Sequence, residues 1–326
     1  MRTQNIKLWE AEEYTYPKAF GFIPYLVSYL HDEDDSKRPC ILVVPGGGYS
    51  MVSPTEGEIV AKKFYEKGYN AFICTYTTDL LRLAALKMQP LRDLSRAIRY
   101  IRVHSDEFNI HTNQLVVCGF SAGGHLCGSV CVHYADIIDE NPNYAHVSNR
   151  PDASILSYPV ITSSKYAHRD SFLTLLGNEA TEEELEYMSL EKQVTEETPP
   201  CFLWHTATDE LVPVENSYLY AKECKKQGVR HACHVFSRGP HGLSLSNKDW
   251  ETGNFGELNT MEQLVKLAQA IKDGRITVAD DHKKFVLSLL DTDLSNKMRV
   301  MSPEAVEEVA IWPILADQWL KSIWVN

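Results

Sequence analysis

A chain of 326 residues that is 44% hydrophobic and 23% charged has the makings of one large packed domain and is neither disordered nor fibrous in composition. Its formal net charge of −12 argues against nucleic acid as the main partner, because phosphate binding calls for clustered Lys and Arg. The sequence opens without a basic start and apolar stretch, and no apolar run is long enough to cross a bilayer, so a cytoplasmic protein with no membrane association is expected.

Short apolar runs alternate with amphipathic ones along the chain. Within the first thirty residues, NIKLWE and FIPYLVSYL suit an antiparallel hairpin at a sheet edge. Residues 41–45 (ILVVP) predict a buried strand, and 56–67 (EGEIVAKKFYEK) a helix ending at Gly68, a residue suited to a C-cap. NAFICTY at 70–76 predicts the next strand. A helix follows over 90–104, with Leu91, Leu94, Ile98 and Ile101 on one face. Residues 114–120 predict a strand and 121–134 a helix; 153–160 predict a strand. CFLWH at 201–205 is a further strand, 214–227 a helix, and ACHVF at 232–236 the last strand of the series. This order, with little polar alternation in the strands, predicts a mostly parallel sheet covered by helices on both faces.

Two segments break the rhythm. The charged stretch 181–200, within 161–200, predicts a small helical excursion over the sheet. Residues 252–308 are helical in pattern and predict an insertion into a single domain of 1–326: a lid, a dimer contact or a pocket wall. The stretch 309–324 (VAIWPILADQWLKSIW) predicts a final amphipathic helix packed back on the core.

The eight cysteines are scattered and form no CxxC pair, so structural zinc is not expected and buried reduced thiols are. Cys127 and Cys131 fall one turn apart on the helix after Ser121, where packing explains them.

Gly119-Phe120-Ser121-Ala122-Gly123 fits G-x-S-x-G. In that pattern a serine occupies a sharp strand-to-helix turn, small neighbours avoid a clash, and the hydroxyl stands clear of the sheet. A strand predicted before it and a helix after it supply the required context. A nucleophilic serine needs a base, and the base needs an orienting acid, each on a loop after a later strand. Asp209 follows CFLWHTAT and His241 follows ACHVFSRGP, both at the carboxyl edge of the predicted sheet. Glu210 is adjacent and also acidic; Asp209 is preferred because it stands nearer the strand end. The loop Pro45-Gly46-Gly47-Gly48 suits an oxyanion hole, with donors expected from Gly47, Gly48 and Ala122. No Lys follows the glycines as in a phosphate-binding loop. No cofactor and no metal are expected. His125, one turn after Ser121, is expected to pack and hydrogen-bond. Tyr49, Tyr158, Tyr166 and Trp204 either line a substrate pocket or pack.

PGGGYSMVSPTEGE, GFSAGGHL, RPDASILSYPVIT, TPPCFLWHTATDELVPVENS and GPHGLSL together resemble the alpha/beta-hydrolase esterases related to acetylesterases and acetylxylan esterases, over most of 25–245. The resemblance implies the alpha/beta-hydrolase fold, Ser121, Asp209 and His241 as a triad, and the PGGG loop as part of the oxyanion hole. It also implies short-chain acyl esters as substrates, with acetyl groups on sugars such as xylo-oligosaccharides foremost. The related hormone-sensitive-lipase-like branch carries a histidine before its glycines, where this chain has Pro45. An arylformamidase acting on an N-formyl group is the alternative within hydrolases. A non-catalytic binding protein on the same fold fits less well, since all three triad residues are present. A small-molecule or oligosaccharide ester is thus the expected partner, and the sequence leaves homo-oligomerisation open.

Overall fold

A computed structural model describes residues 1–288 and 304–324. The strands are β1 Asn5–Lys7, β2 Tyr25–Tyr29, β3 Arg38–Val44, β4 Asn70–Thr75, β5 Ile110–Phe120, β6 Ala153–Ser157, β7 Cys201–Thr206 and β8 His231–Phe236. They form one sheet in the order β1-β2-β4-β3-β5-β6-β7-β8. β1 and β2 pair antiparallel, as expected of the first thirty residues, and β2 pairs antiparallel with β4. From β4 to β8 every pairing is parallel. Helices α1 Glu58–Tyr65, α2 Gln89–Val103, α3 Ala122–His133, α4 Arg169–Leu176, α5 Glu182–Tyr187 and α6 Glu215–Lys226 follow the predicted order.

The strands lack polar alternation because both faces are covered. On one face Cys40, Leu42, Val44, Leu115 and Val117 join the core that includes Leu94 and Ile98 of α2 and Leu126 of α3. On the other, Ile41, Val43, Val116, Cys118 and Trp204 meet Phe64 of α1 and Trp312, Ala316 and Leu320 of the helix Trp312–Trp324. That last helix starts three residues later than its apolar pattern. A 3-10 turn, Glu307–Ile311, precedes it. Pro313 stands second in the helix, a position where the missing N–H costs no intrahelical bond.

Other departures have local causes. β6 stops at Ser157, short of residue 160, because Tyr158 adopts φ 36° and Pro159 follows. The helix expected at 56–67 starts instead at Glu58, after a 3-10 turn, Pro54–Glu56, whose glutamate is buried. The excursion after β6 carries α4, α5 and a 3-10 turn, Leu190–Lys192. Thr181 and Glu184 close a capping box on α5, each side chain accepting the other's backbone N–H, at 3.1 and 3.2 Å.

The described part of the insertion is helical, with Glu262–Lys272 and Asp280–Ser288; residues 289–303 lie outside the described residues. Leu267, Ala268, Ile271 and Val286 pack with Phe20 and with Leu80, Leu81 and Leu83 of the loop after β4. Gln263 Oε1 fixes that contact by accepting the Thr78 N–H and hydroxyl, each at 2.9 Å.

α3 begins where it crosses the end of β3, and only a glycine fits the crossing. A Cβ on Gly123 would lie 2.1 Å from the Val44 carbonyl oxygen and 2.4 Å from that of Pro45. Both atoms are backbone and cannot swing away. The Gly123→Ala variant is therefore expected to lose about 1–3 kcal/mol of stability in urea unfolding. An unchanged midpoint would contradict this crossing.

Candidate active site

The carboxyl ends of β5, β7 and β8 bring three predicted residues together. Ser121 joins β5 to α3 with φ 52° and ψ −117°, a conformation that L residues seldom adopt. Its N–H donates to the Ser157 carbonyl at 3.0 Å, and its own carbonyl accepts the N–H groups of His125 and Val160 at 3.0 and 3.1 Å. The chain on both sides of the serine is thereby fixed. His241 reaches it from the loop after β8, with Nε2 2.7 Å from Ser121 Oγ. His241 Nδ1 lies 2.7 Å from Asp209 Oδ2. An ionised carboxylate only accepts, so the ring hydrogen sits on Nδ1 and the Nε2 lone pair faces the serine hydroxyl. Glu210 is exposed; the structure places Asp209, of the two acids, on the histidine.

Asp209 is anchored from four directions. Oδ1 accepts the N–H groups of Leu211 and Val212 at 3.0 and 2.9 Å. Oδ2 also faces His205 Nε2 at 3.3 Å, a ring nitrogen that lies 2.9 Å from the Val212 carbonyl as well. Burial alone would raise the Asp209 carboxyl, but hydrogen bonds from His205, His241 and Val212 hold it well below the usual carboxylate range. In the sequence His205 forms no metal-ligand spacing, and its position inside the apolar strand CFLWH gives no local sign of its contact with Asp209.

The glycine loop lies against the serine. A Cβ on Gly46 would fall 2.9 Å from Ser121 Cβ and 2.6 Å from the Phe120 carbonyl oxygen. Tyr76 donates its hydroxyl to the Pro45 carbonyl at 2.7 Å, and Gly46 N–H donates to buried Glu56 Oε2 at 2.7 Å. Among the described residues no protein acceptor faces the N–H groups of Gly47, Gly48 or Ala122. Ala122 opens α3, where orphan N–H groups and the helix dipole favour negative charge. Free donors beside a nucleophile are what a developing oxyanion requires.

The histidine at 125 is buried and packs rather than reacts. Its Nε2–H donates to the Met188 carbonyl at 2.9 Å, and its Nδ1 accepts the Tyr49 hydroxyl at 2.7 Å. Burial pushes its pKa down to about 4. The pair ties the glycine loop, through Tyr49, to the excursion that carries Met188. Tyr49, Tyr158 and Trp204 are core residues, while Tyr166 is half-buried. On the rim, α4 stands near Gly48: a Cβ there would be 3.9 Å from Ser171 Oγ. Half-buried His168, just ahead of α4, places Nδ1 2.8 Å from that hydroxyl. Beyond His241 an open cleft of about 1070 Å³ is bounded by Thr208, Leu211, Arg238, Pro240, Glu304 and Val306.

Comparison with known proteins places the chain among relatives. Residues 26–223 match the BD-FAE family. The chain is 50% identical over 276 residues to endo-1,4-beta-xylanase B of Butyrivibrio fibrisolvens, covering 83% of this chain and 43% of that protein. It is 29% identical over 260 residues to the acetylxylan esterase of Xylanibacter ruminicola, covering 78% of this chain and 50% of the relative. The chain thus spans about half the length of the curated relatives it matches. Among solved structures, the acetyl ester-xyloside bifunctional hydrolase from Caldicellulosiruptor lactoaceticus aligns with a TM-score of 0.69 at 36% identity, over 85% of this chain and 98% of that one.

The depressed Asp209 carboxyl has a consequence for stability. A carboxyl whose folded pKa lies below its unfolded value, about 4, stabilises the fold above that pH and ceases to as pH falls through the folded value. The stability of the wild type over Asp209→Asn is expected to persist down to about pH 4 in pH-dependent melts and to shrink only below it. A difference that shrank between about pH 7 and about pH 5 would contradict the depressed carboxyl.

Proposed function

Because the chain belongs to the BD-FAE family of alpha/beta-hydrolases, we propose that it is a serine carboxylesterase acting through an acyl-enzyme on Ser121. Its substrates are short-chain acyl esters, foremost acetyl groups on xylo-oligosaccharides. The observation that carries this reading is the run of two 2.7 Å contacts from Asp209 through His241 to Ser121, beside free N–H groups at Gly48 and Ala122. The activities for which two relatives are named, an acetylxylan esterase and an acetyl ester-xyloside bifunctional hydrolase, support the choice of acyl group and sugar.

His241 Nε2 takes the hydroxyl proton as Ser121 Oγ bonds to the ester carbonyl carbon. The carbonyl π electrons move to oxygen, where the N–H groups of Gly48 and Ala122, with Gly47 beside them, stabilise the charge. The C–O bond to the alcohol then breaks, and His241 returns the proton to the departing oxygen. Water, deprotonated by His241, attacks the acyl carbon, and the acid leaves as Ser121 recovers its proton. Asp209 keeps the imidazole hydrogen on Nδ1 and stabilises the ring when it is charged. The cleft beside His241, with Arg238 and Glu304 on its walls, offers hydrogen-bonding groups to a sugar leaving group.

The cytoplasm is the proposed compartment, with imported oligosaccharides as the supply. All eight cysteines are free thiols and seven are buried, which suits a reducing environment. Among the described residues no helix is long and apolar enough to cross a membrane.

Acetate release from acetylated xylo-oligosaccharides tests the function. The wild type is expected to release acetate and Ser121→Ala to lose about 10⁶-fold in kcat, the scale of nucleophile loss in a serine triad. Asp209→Asn is expected to lose about 10⁴-fold. No release by the wild type would overturn the sugar-deacetylase reading, and small aryl esters and N-formyl compounds would be assayed next.

A further inference from the structure

We propose that Glu56 is a positioning residue whose buried carboxylate ties the glycine loop to the loop carrying His241, setting both against Ser121. The proposal rests on the ester-hydrolase reading and adds to it a group that touches no substrate.

Glu56 is 4% exposed. Among the described residues no lysine or arginine pairs with it; its two carboxylate oxygens serve two separate donors. Oε2 accepts Gly46 N–H at 2.7 Å. Oε1 accepts the Tyr158 hydroxyl, also at 2.7 Å. The first bond fixes the residue that abuts Ser121 and leads into Gly47 and Gly48. The second reaches the base. The Tyr158 ring meets the His241 ring edge to face, with centroids 4.8 Å apart. The Tyr158 oxygen also accepts the N–H of Ser244, three residues beyond His241, at 3.0 Å. Ser244 is held further by its own hydroxyl, which donates to the Thr55 carbonyl at 2.8 Å, and by Trp312 Nε1–H, which donates to its carbonyl at 2.9 Å.

A carboxylate buried without a cation costs the fold stability, and burial pushes its pKa up. Filling space therefore does not account for an acid at this position. Its geometry does: one rigid group, two acceptor oxygens, one loop on each. The two loops lie far apart in the sequence, one after β3 and one after β8, and each supplies one half of the chemistry. A misplacement of about 1 Å between them is enough to lose about 10²-fold in rate.

The test compares Glu56→Gln, Glu56→Leu, Tyr158→Phe, Ser121→Ala and wild type. It measures kcat and KM on p-nitrophenyl acetate, the rate of Ser121 labelling by a fluorophosphonate, and melting temperature. Glu56→Leu, which frees both loops, is expected to lose about 10²-fold in kcat with KM changed by less than about 3-fold. Glu56→Gln keeps an oxygen for Gly46 and an amide in reach of Tyr158, and is expected to recover about 10-fold of that loss. Tyr158→Phe cuts only the histidine side and is expected to lose about 10-fold. Labelling rates should fall in the same order. Folded variants with wild-type kcat and labelling would overturn the proposal, as would losses that follow melting temperature alone. If Glu56→Leu does not fold, Glu56→Gln and Tyr158→Phe decide by the same criteria. If the wild type labels at Ser121 but cleaves no ester, the substrate reading fails and the labelling rates decide the proposal. If it neither labels nor cleaves, both fall together.

Discussion

At Ser121 the backbone leaves β5 with a positive φ, and the surrounding structure exists to hold it there. A non-glycine residue in such a conformation costs on the order of 1–3 kcal/mol, and it persists only where its neighbours over-determine it. Here they do. Hydrogen bonds from β6, from the first turn of α3 and from Val160 grip the serine's own peptide groups. The first turn of α3 then lies across the end of β3, where Gly123 meets the Val44 and Pro45 carbonyls. The same crossing brings Gly46 against Ser121, so the glycine loop and the serine are placed by one packing event.

The rest of the site is built outward from that point. β7 and β8, parallel neighbours, end at the same sheet edge, and their following loops deliver Asp209 and His241. Asp209 is locked by backbone N–H groups two and three residues on, so its orientation is local and cheap in entropy. His241 depends on more distant support. Ser244 is bonded to Tyr158, Thr55 and Trp312, and Trp312 belongs to the helix that closes the second core beside Trp204 and Phe120. A helix far along the chain thus acts on the histidine loop through one indole N–H.

Much of this was legible in the sequence, for physical reasons. Buried parallel strands are short apolar runs, and 41–44, 70–75 and 201–205 carry no polar face to obscure them. The G-x-S-x-G turn demands small residues at fixed offsets, so its signature is local. Asp209 and His241 follow strand ends, where a loop after a strand must present its residues at the sheet edge. What was not legible is tertiary. Glu56 sits in EGE, which as sequence suits a solvated helix start, and nothing local tells that its side chain turns inward to Gly46 and Tyr158. His205 is one polar residue in an apolar strand, and only the fold puts it against Asp209. Tyr158 could be read as a pocket wall or a core residue, and it is a core residue with a polar end. The sequence leaves the insertion's role open between lid, dimer contact and wall; its described helices pack on the loop after β4 through Leu267 and Ile271.

The central claim is that Ser121 carries the acyl group. Rapid-quench peptide mapping during turnover of an acetyl ester addresses it directly. An acetyl adduct should accumulate on the peptide containing Ser121 and vanish as the ester is exhausted, with none formed by Ser121→Ala. Ester turnover with no adduct on that peptide, or with the adduct on another residue, would contradict the account.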